Sequence, residues 1–195
     1  MRIHVRSAVV LLLGVTFLVS GAGPAFPQEK AMTPLSGGIP MIEGIKMLDV
    51  GAAAPDFSIK DTDGNLYNLA SEKGKKTVLI IFWSIFCEPC RAEMPAIQKL
   101  HEKYKDKGLD VVSVALDGEP LRTSIVGFVK QEGYTFRVLI DELDSQDMFK
   151  VADPYGVGGT PTMYLLDKGG KVVLGKAGLL KEEELDKAVR ALLKK

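Results

Sequence analysis

The chain has 195 residues, of which 46% are hydrophobic and 26% are charged, a composition typical of one globular domain with an additional segment. Its 25 basic residues balance 25 acidic residues, and no strong basic run occurs. This balance argues against nucleic acid as a partner, since phosphate binding needs a clustered positive patch.

Residues 1–25 have the pattern of a secretory signal. Basic residues precede an uncharged run from Ala8 to Val19, and small residues follow from Ser20 to Ala25. The apolar run is short for a bilayer span, so the segment is interpreted as a signal peptide or, if it stays attached, as an N-terminal anchor. Either interpretation predicts a periplasmic or other extracytoplasmic location for the folded domain, secreted or tethered to the cytoplasmic membrane.

The next two segments differ sharply in composition. Residues 26–51 are rich in Gly, Pro and Met without a clear period, which predicts a linker that is partly disordered. Residues 52–195 are predicted to form the folded domain. This domain opens with two short segments, 57–60 and 65–69, on either side of the turn signal Asp-Thr-Asp-Gly, so a β-hairpin is expected there.

The remaining elements predict an α/β domain with a mixed central sheet and helices on both faces. Thr77–Trp83 is an apolar run typical of a strand buried on both sides, and Cys87-Glu88-Pro89-Cys90 follows it with a helix predicted next. The later predicted elements are a strand at 110–116, a helix around 121–129, a strand at 136–140, a short helix at 145–151, a hairpin of strands 162–166 and 172–174, and a final helix containing 185–192.

Cys87 and Cys90 are predicted to form a redox-active pair. A disulfide that closes so small a ring constrains the unfolded chain little, which disfavours a purely structural role. A cysteine at a helix N-terminus gains thiolate character from the helix dipole, so Cys87 is expected to attack a disulfide and Cys90 to resolve the intermediate. Cys90 shares the apolar face of the helix with Met94 and Ile97, which predicts that it is shielded.

Three nearby residues are expected to tune this chemistry. Glu93 falls on the same apolar stripe, and we hypothesise that it exchanges protons with Cys90; the alternative is a half-exposed glutamate paired with a lysine. Pro89 suits the first turn of a helix. The charge of Glu88 opposes a very low thiol pKa at Cys87, which favours a reductant over a strong oxidant.

The segment FWSIFCEPCRAEMP, residues 82–95, resembles the active-site segment of the ResA/TlpA-like thioredoxin proteins. Residues 54–57 (APDF) and 155–162 (YGVGGTPT) also match that family. The resemblance covers residues 52–194 and implies a thioredoxin-like fold. It further implies that the helix and strand within 121–140 are the central insertion that separates this group from plain thioredoxin.

The resemblance implies roles beyond the cysteine pair. Pro161 would be cis and stand beside the pair, Thr160 would hydrogen-bond the substrate backbone, and Trp83 would pack against the site. Family members also tend to carry a functional glutamate at the position of Glu93, whereas Ile81 replaces the buried aspartate of plain thioredoxins, which leaves Glu93 or water for proton transfer. The predicted substrate-binding residues are Trp83, Glu88, Pro89, Thr160 and Pro161.

The function predicted is that of an extracytoplasmic thiol–disulfide oxidoreductase that reduces protein disulfides. The resemblance implies apocytochrome c or copper-site proteins as substrates and a membrane thiol donor as the source of electrons. The sequence does not choose between those substrates, and a monomer is the default expectation.

Neither a cofactor nor a metal is predicted for this function. His101 lies about 16 Å from Cys90 along an ideal helix, so a Cys–His dyad is not supported. A Cu(I)-binding module is an alternative in which the two thiolates hold copper and methionines of the linker add soft ligands (Met32, Met41 and Met47).

Two further alternatives concern redox chemistry. A thiol peroxidase of the peroxiredoxin group would place a Ser or Thr three residues before its cysteine, as Ser84 stands before Cys87. However, Ile80 occupies the position where that group has a proline, and its resolving cysteine is not normally three residues away. An enzyme that introduces disulfides into other proteins would differ only in the reduction potential of its cysteine pair.

Overall fold

The computed structural model describes residues 45–194. The predicted signal segment and most of the predicted linker lie outside the described residues. Within the described range there are seven strands and three α-helices: β1 (Ser58–Lys60), β2 (Leu66–Asn68), β3 (Thr77–Trp83), α1 (Glu88–Tyr104), β4 (Leu109–Ala115), α2 (Arg122–Glu132), β5 (Arg137–Ile140), β6 (Thr162–Leu166), β7 (Val172–Ala177) and α3 (Glu182–Leu193). None of these helices is long and apolar enough to cross a membrane.

Five strands form one mixed sheet in the order β5-β4-β3-β6-β7. The central strand β3 runs parallel to β4 and antiparallel to β6, while β4 is parallel to β5 and β6 is antiparallel to β7. Strands β1 and β2 form a separate antiparallel hairpin. The predicted α/β architecture with an N-terminal hairpin is confirmed, with small shifts at the ends of several elements.

Side chains alternate across β3 and create an apolar cluster on each face of the sheet. Leu79, Ile81 and Trp83 belong to a first cluster that includes buried residues of α1, α2 and α3. Val78 and Phe82 belong to a second cluster, which is covered by the β1–β2 hairpin and by apolar residues between 149 and 157.

The sheet is flanked by helices, but unequally: where helices were expected on both faces, the three α-helices of the described residues all pack on the first cluster, and the second cluster is met by one short 3₁₀ helix, Leu69–Glu72. Strands β3, β4 and β5 step across the sheet in one direction. Right-handed crossovers between successive parallel strands then place α1 and α2 on the same face, and the other face is left to the hairpin and the long connection after β5.

The short helix predicted at 145–151 was wrong. In its place the chain turns back so that Leu143 and Phe149 form an antiparallel bridge. The carboxylate of Asp144 accepts hydrogen bonds from the backbone N–H groups of Gln146 and Met148, at 2.7 and 3.1 Å. Short polar side chains of this kind compete with helical hydrogen bonding, which explains the turn.

Residues 45–51, at the end of the predicted linker, pack against the sheet. The backbone N–H of Leu48 donates to the Tyr164 hydroxyl at 3.1 Å, and the N–H of Gly51 donates to the Val172 carbonyl at 2.7 Å. Met47 and Leu48 contact the second apolar cluster. The described part of this segment therefore belongs to the folded body.

Candidate active site

The cysteine pair lies where the central strand of the sheet leads into α1. Cys87 is the N-cap of this helix, with an extended backbone (φ −83°, ψ 98°), and its Sγ accepts a hydrogen bond from the N–H of Cys90 at 3.2 Å. Pro89 occupies the first turn, where a missing N–H costs nothing. The unpaired N–H groups of that turn favour negative charge at Sγ, so this geometry supports thiolate formation at Cys87.

The two cysteines differ in their access to solvent. A disulfide joins them, with their Cα atoms 5.2 Å apart. Cys87 is partly exposed, whereas Cys90 is 2% exposed and belongs to the first apolar cluster. This arrangement agrees with the expected order of an outer, attacking Cys87 and an inner, resolving Cys90.

Glu93 is partly buried one turn after Cys90. Its Oε1 accepts a hydrogen bond from the N–H of Leu180 at 2.9 Å, while its buried Oε2 has no partner among the described residues. Burial raises the pKa of Glu93, and the bond from Leu180 opposes that shift only in part. The alternative of a glutamate paired with a lysine is not observed within residues 45–194. A carboxyl group in this state suits the expected proton exchange.

The peptide bond between Thr160 and Pro161 is cis, as the family resemblance implies. Pairing of Phe82 with Thr162 brings Pro161 to the end of β3, beside the start of the loop that carries Cys87. The carbonyl of Pro161 accepts a hydrogen bond from Gly178 at 2.8 Å. The sheet therefore brings the two segments together from positions about 75 residues apart in sequence.

The other predicted substrate-binding residues divide by exposure. Glu88 and Pro89 are exposed on the first turn of α1, and Phe86 before them is 76% exposed. Trp83 is fully buried, with its ring centroid 5.7 Å from that of Phe128. Trp83 therefore supports the site from inside the first apolar cluster and presents no surface to a docked partner.

Asp117 is a site residue that the sequence interpretation missed. Its carboxylate accepts hydrogen bonds from the Ser84 hydroxyl at 2.7 Å and from the N–H of Ile85 at 3.1 Å, in the loop that leads to Cys87. The available signal was its position just after β4. The carboxyl ends of parallel neighbouring strands meet at the same edge of a sheet, which is where sites of α/β proteins form.

Comparison with known proteins decides the family. The model of the Redoxin family matches residues 49–192. The chain is 38% identical over 139 residues to the thiol-disulfide oxidoreductase ResA of Bacillus thuringiensis (strain Al Hakam), a match that covers 71% of this chain and 76% of the relative. The chain belongs to the ResA/TlpA-like thioredoxin family. It is accordingly a thiol–disulfide oxidoreductase.

Solved structures confirm the thioredoxin-like fold of this ResA/TlpA-like protein. A thiol:disulfide interchange protein DsbE from Chlorobium tepidum is 33% identical with a TM-score of 0.65, and the match covers 75% of this chain and 99% of that one. A thiol:disulfide interchange protein from Bacteroides sp. is 28% identical with a TM-score of 0.63, covering 76% and 92% of the two chains.

The copper-binding and peroxidase alternatives depended on residues that make other contacts in this ResA/TlpA-like protein. Met47 packs on the second apolar cluster, on the opposite face of the sheet from Cys90. Met32 and Met41 lie outside the described residues. The Ser84 hydroxyl, on whose position before Cys87 the peroxidase alternative depended, donates to Asp117. None of these contacts favours copper binding or peroxide chemistry.

Proposed function

We propose that this ResA/TlpA-like protein is a reductase of protein disulfides outside the cytoplasm, acting through Cys87 and Cys90. The observation that carries the proposal is the partly exposed Cys87 at the N-cap of α1 with Cys90 buried behind it. The dipole of a 17-residue helix stabilises the Cys87 thiolate, the form that attacks a disulfide.

The proposed reaction proceeds in two exchange steps. The Cys87 thiolate attacks one sulfur of the substrate disulfide, forming a mixed disulfide and releasing the other substrate sulfur as a thiolate. The Cys90 thiolate then attacks the Cys87 sulfur, which breaks the mixed disulfide and releases the second substrate thiolate. Two electrons have passed to the substrate, and the Cys87–Cys90 disulfide remains for re-reduction.

Glu93 is proposed to take the proton from Cys90 before the second step. Because Cys90 is almost fully buried, water has little access to its thiol. Glu93 lies on the same helix one turn away, and its buried Oε2 accepts no hydrogen bond from residues 45–194. A carboxyl group with a raised pKa exchanges protons closer to neutral pH than an exposed glutamate does.

The proposed substrate surface surrounds Cys87. Thr160 and Pro161 would meet the substrate backbone on one side, and Glu88 and Pro89 would line the other side, with Trp83 packed beneath. The exposed ring of Phe86 adds an apolar contact next to the reactive sulfur. This surface suits an extended protein segment that carries a disulfide.

Location and partners complete the proposal. Residues 1–25 would act as a signal peptide or anchor and residues 52–195 as the catalytic domain. Residues 26–51 would act as a linker whose last part, residues 45–51, is packed against that domain. Haem-attachment cysteines of apocytochrome c or cysteines of copper-site proteins are the proposed substrates, and a membrane thiol donor would re-reduce the pair. Support for these partners comes from the family resemblance.

Trapping the intermediate tests the exchange mechanism. A reduced Cys90→Ser variant should accumulate a mixed disulfide with an oxidised model peptide through Cys87, because no second thiol can resolve it. The matched Cys87→Ser variant should form none, since its remaining thiol is buried. Mass spectrometry identifies the linked residue, and a trapped species on Cys90 would contradict the proposed order.

The direction of electron flow is tested by the equilibrium reduction potential of the pair. Trp83 is the only tryptophan of the chain and lies in the same cluster as Cys90, so its fluorescence should report the transition in thiol redox buffers. A strongly reducing potential, near that of thioredoxin at about −270 mV, is expected for a reductase. A potential as oxidising as about −120 mV would recast the protein as a disulfide donor.

A further inference from the structure

The loop between β3 and α1 is held by one side chain that follows the neighbouring strand β4. Asp117 Oδ1 accepts from the Ser84 hydroxyl at 2.7 Å, and Oδ2 accepts from the N–H of Ile85 at 3.1 Å. The Ser84 oxygen in turn accepts from the N–H of Phe86 at 3.1 Å, and the Ser84 carbonyl accepts from the N–H of Cys87 at 3.1 Å. All three loop residues before Cys87 are thus bonded to Asp117 directly or through Ser84.

The sheet places this carboxylate opposite the loop. Strands β3 and β4 pair in parallel up to Trp83 and Ala115, and the N–H of Leu116 still donates to the Trp83 carbonyl at 2.9 Å. Asp117 follows at once and is only partly exposed. Its two oxygens each hold one group of the loop, so a single side chain restrains both Ser84 and Ile85.

Restraint of this loop bears directly on the reactivity of Cys87. The stabilisation of a thiolate by a helix N-terminus fades within the first turn, so Sγ must stay close to the N–H of Cys90. The N–H groups of Ile85 and Phe86 are already bonded within the Asp117–Ser84 network. The first turn of α1 therefore remains the source of donors for the thiolate.

We propose that Asp117 is a positioning residue for the exchange reaction, acting through Ser84 to hold Cys87 at the N-cap of α1. This inference rests on the proposed attack by Cys87. Asp117 affects the pKa of the Cys87 thiol in two opposite ways. Its negative charge raises that pKa, whereas holding Cys87 at the N-cap lowers it. The other charged groups close in sequence to Cys87 are Glu88, Arg91 and Glu93 on α1, and they stay unchanged in the test.

The test compares Asp117→Ala, Asp117→Asn and Ser84→Ala in the full-length protein. Two assays are run on each variant. The first is the pH dependence of Cys87 alkylation by iodoacetamide in the reduced protein, and the second is the steady-state reduction of insulin disulfides, which gives kcat and KM with dithiothreitol as the reductant that restores the cysteine pair. Asp167→Ala is the matched control, because the Asp167 carboxylate also accepts a loop N–H, from Lys171, but lies at the far end of β6 from Pro161.

Positioning predicts a specific pattern among the variants. Asp117→Ala and Ser84→Ala should move the alkylation midpoint to higher pH and lower kcat by about tenfold with little change in KM. Asp117→Asn should retain most of the wild-type rate, because its amide oxygen can accept from Ile85 and its amino group can donate to the Ser84 oxygen. Asp167→Ala should behave as wild type.

Other results would overturn the proposal. If Asp117→Asn and Asp117→Ala change the alkylation midpoint and kcat equally while Ser84→Ala behaves as wild type, Asp117 acts through its charge and not by positioning Cys87. Wild-type profiles in all three variants would show that the network does not position Cys87. If the wild type fails to reduce insulin, the proposed function fails, while the alkylation profiles still decide the role of Asp117. If Asp117→Ala does not fold, the other two variants still test the proposal: positioning predicts that Ser84→Ala is impaired while Asp117→Asn stays close to wild type.

Discussion

At Glu93, burial and hydrogen bonding act on one carboxyl group in opposite directions. Desolvation raises its pKa, whereas the hydrogen bond that Oε1 accepts from the N–H of Leu180 favours the charged form and lowers the pKa. Burial is the larger effect, so the carboxylate forms at a higher pH than in an exposed glutamate. The proposed reaction uses this carboxylate as the base for Cys90.

Glu93→Gln should therefore flatten the pH profile of the resolving step. In the wild type we expect this step to accelerate as the pH rises through the raised pKa of Glu93, because only the carboxylate can accept a proton. Glutamine keeps an oxygen for the Leu180 N–H but cannot take the proton. Single-turnover decay of a preformed Cys87 mixed disulfide, followed across pH, measures the step.

The control for this prediction is Glu102→Gln, which removes an exposed carboxyl group from the same helix. Its profile should keep the wild-type rise. A Glu93→Gln profile that still rises at the same pH would contradict proton transfer through Glu93.

Among the elements, the connection from β5 to β6 is organised by one buried carboxylate. Asp141 has no exposed surface and accepts hydrogen bonds from the N–H groups of Glu142, Val151 and Ala152, at 2.9, 3.1 and 2.8 Å. These bonds anchor both ends of the turn that replaces the predicted helix. They also fix the start of the segment that leads to Pro161.

Asp141→Ala should destabilise the fold by about 2–4 kcal/mol, because it leaves buried N–H groups without acceptors. Urea denaturation at neutral pH measures the loss. Asp144→Ala is the matched control: it also removes a carboxylate that accepts two backbone N–H groups, but on the exposed turn. The control should cost less than about 1 kcal/mol. Equal losses would contradict the anchoring role of Asp141.

The same variant has a predicted pH signature. Burial raises the pKa of Asp141 above its ordinary value despite the three hydrogen bonds. The folded state therefore holds its proton more tightly than the unfolded state, and wild-type stability should fall as the pH rises from the ordinary aspartate pKa to the raised one. Asp141→Ala should lack this pH-dependent fall in stability. If the wild type and Asp141→Ala differ in unfolding free energy by the same amount at both ends of that pH range, the predicted fall is contradicted.

On the scale of the whole molecule, residues 45–51 are joined to the sheet domain by close backbone contact. Gly156 has a φ of +64°, and a Cβ at this position would overlap the Lys46 carbonyl. The Tyr164 hydroxyl adds to the joint, accepting from Leu48 and donating to the Tyr155 carbonyl at 2.6 Å. Residues 45–51 can therefore stay in place only if position 156 lacks a side chain.

Gly156→Ala should destabilise the fold by about 2–4 kcal/mol and open residues 45–51 to proteolysis, through left-handed backbone strain and overpacking. The control is Gly127→Ala, at an open helical position in α2, which should be neutral or stabilising by up to about 1 kcal/mol. Denaturant midpoints and limited proteolysis measure both effects. Wild-type protection of residues 45–51 in Gly156→Ala would contradict the contact.

The elements that formed as predicted are those with strong local signals. The unbroken apolar run at β3 and the turn residues between β1 and β2 each specify a structure over a few neighbouring residues. The apolar face of α1 likewise predicted that Cys90 lies inside. At 145–151 the helical signal was outweighed by the hydrogen bonds that the Asp144 carboxylate accepts from the backbone, because side-chain competition with the backbone is weakly visible in a pattern of apolar residues.

The sequence by itself determined the chemistry of this protein: a Cys-x-x-Cys pair at a strand-to-helix junction, with a glutamate on the buried stripe. These are local features, since helix geometry alone sets the spacing of Cys87, Cys90 and Glu93. The tertiary structure decided which distant residues meet the pair, and of these only Pro161 was expected beforehand, from the family resemblance. Asp117 reaches the loop because β4 pairs with β3, and Pro161 reaches it because β6 does. Strand order depends on how whole apolar faces are buried, so no short stretch of sequence contains it.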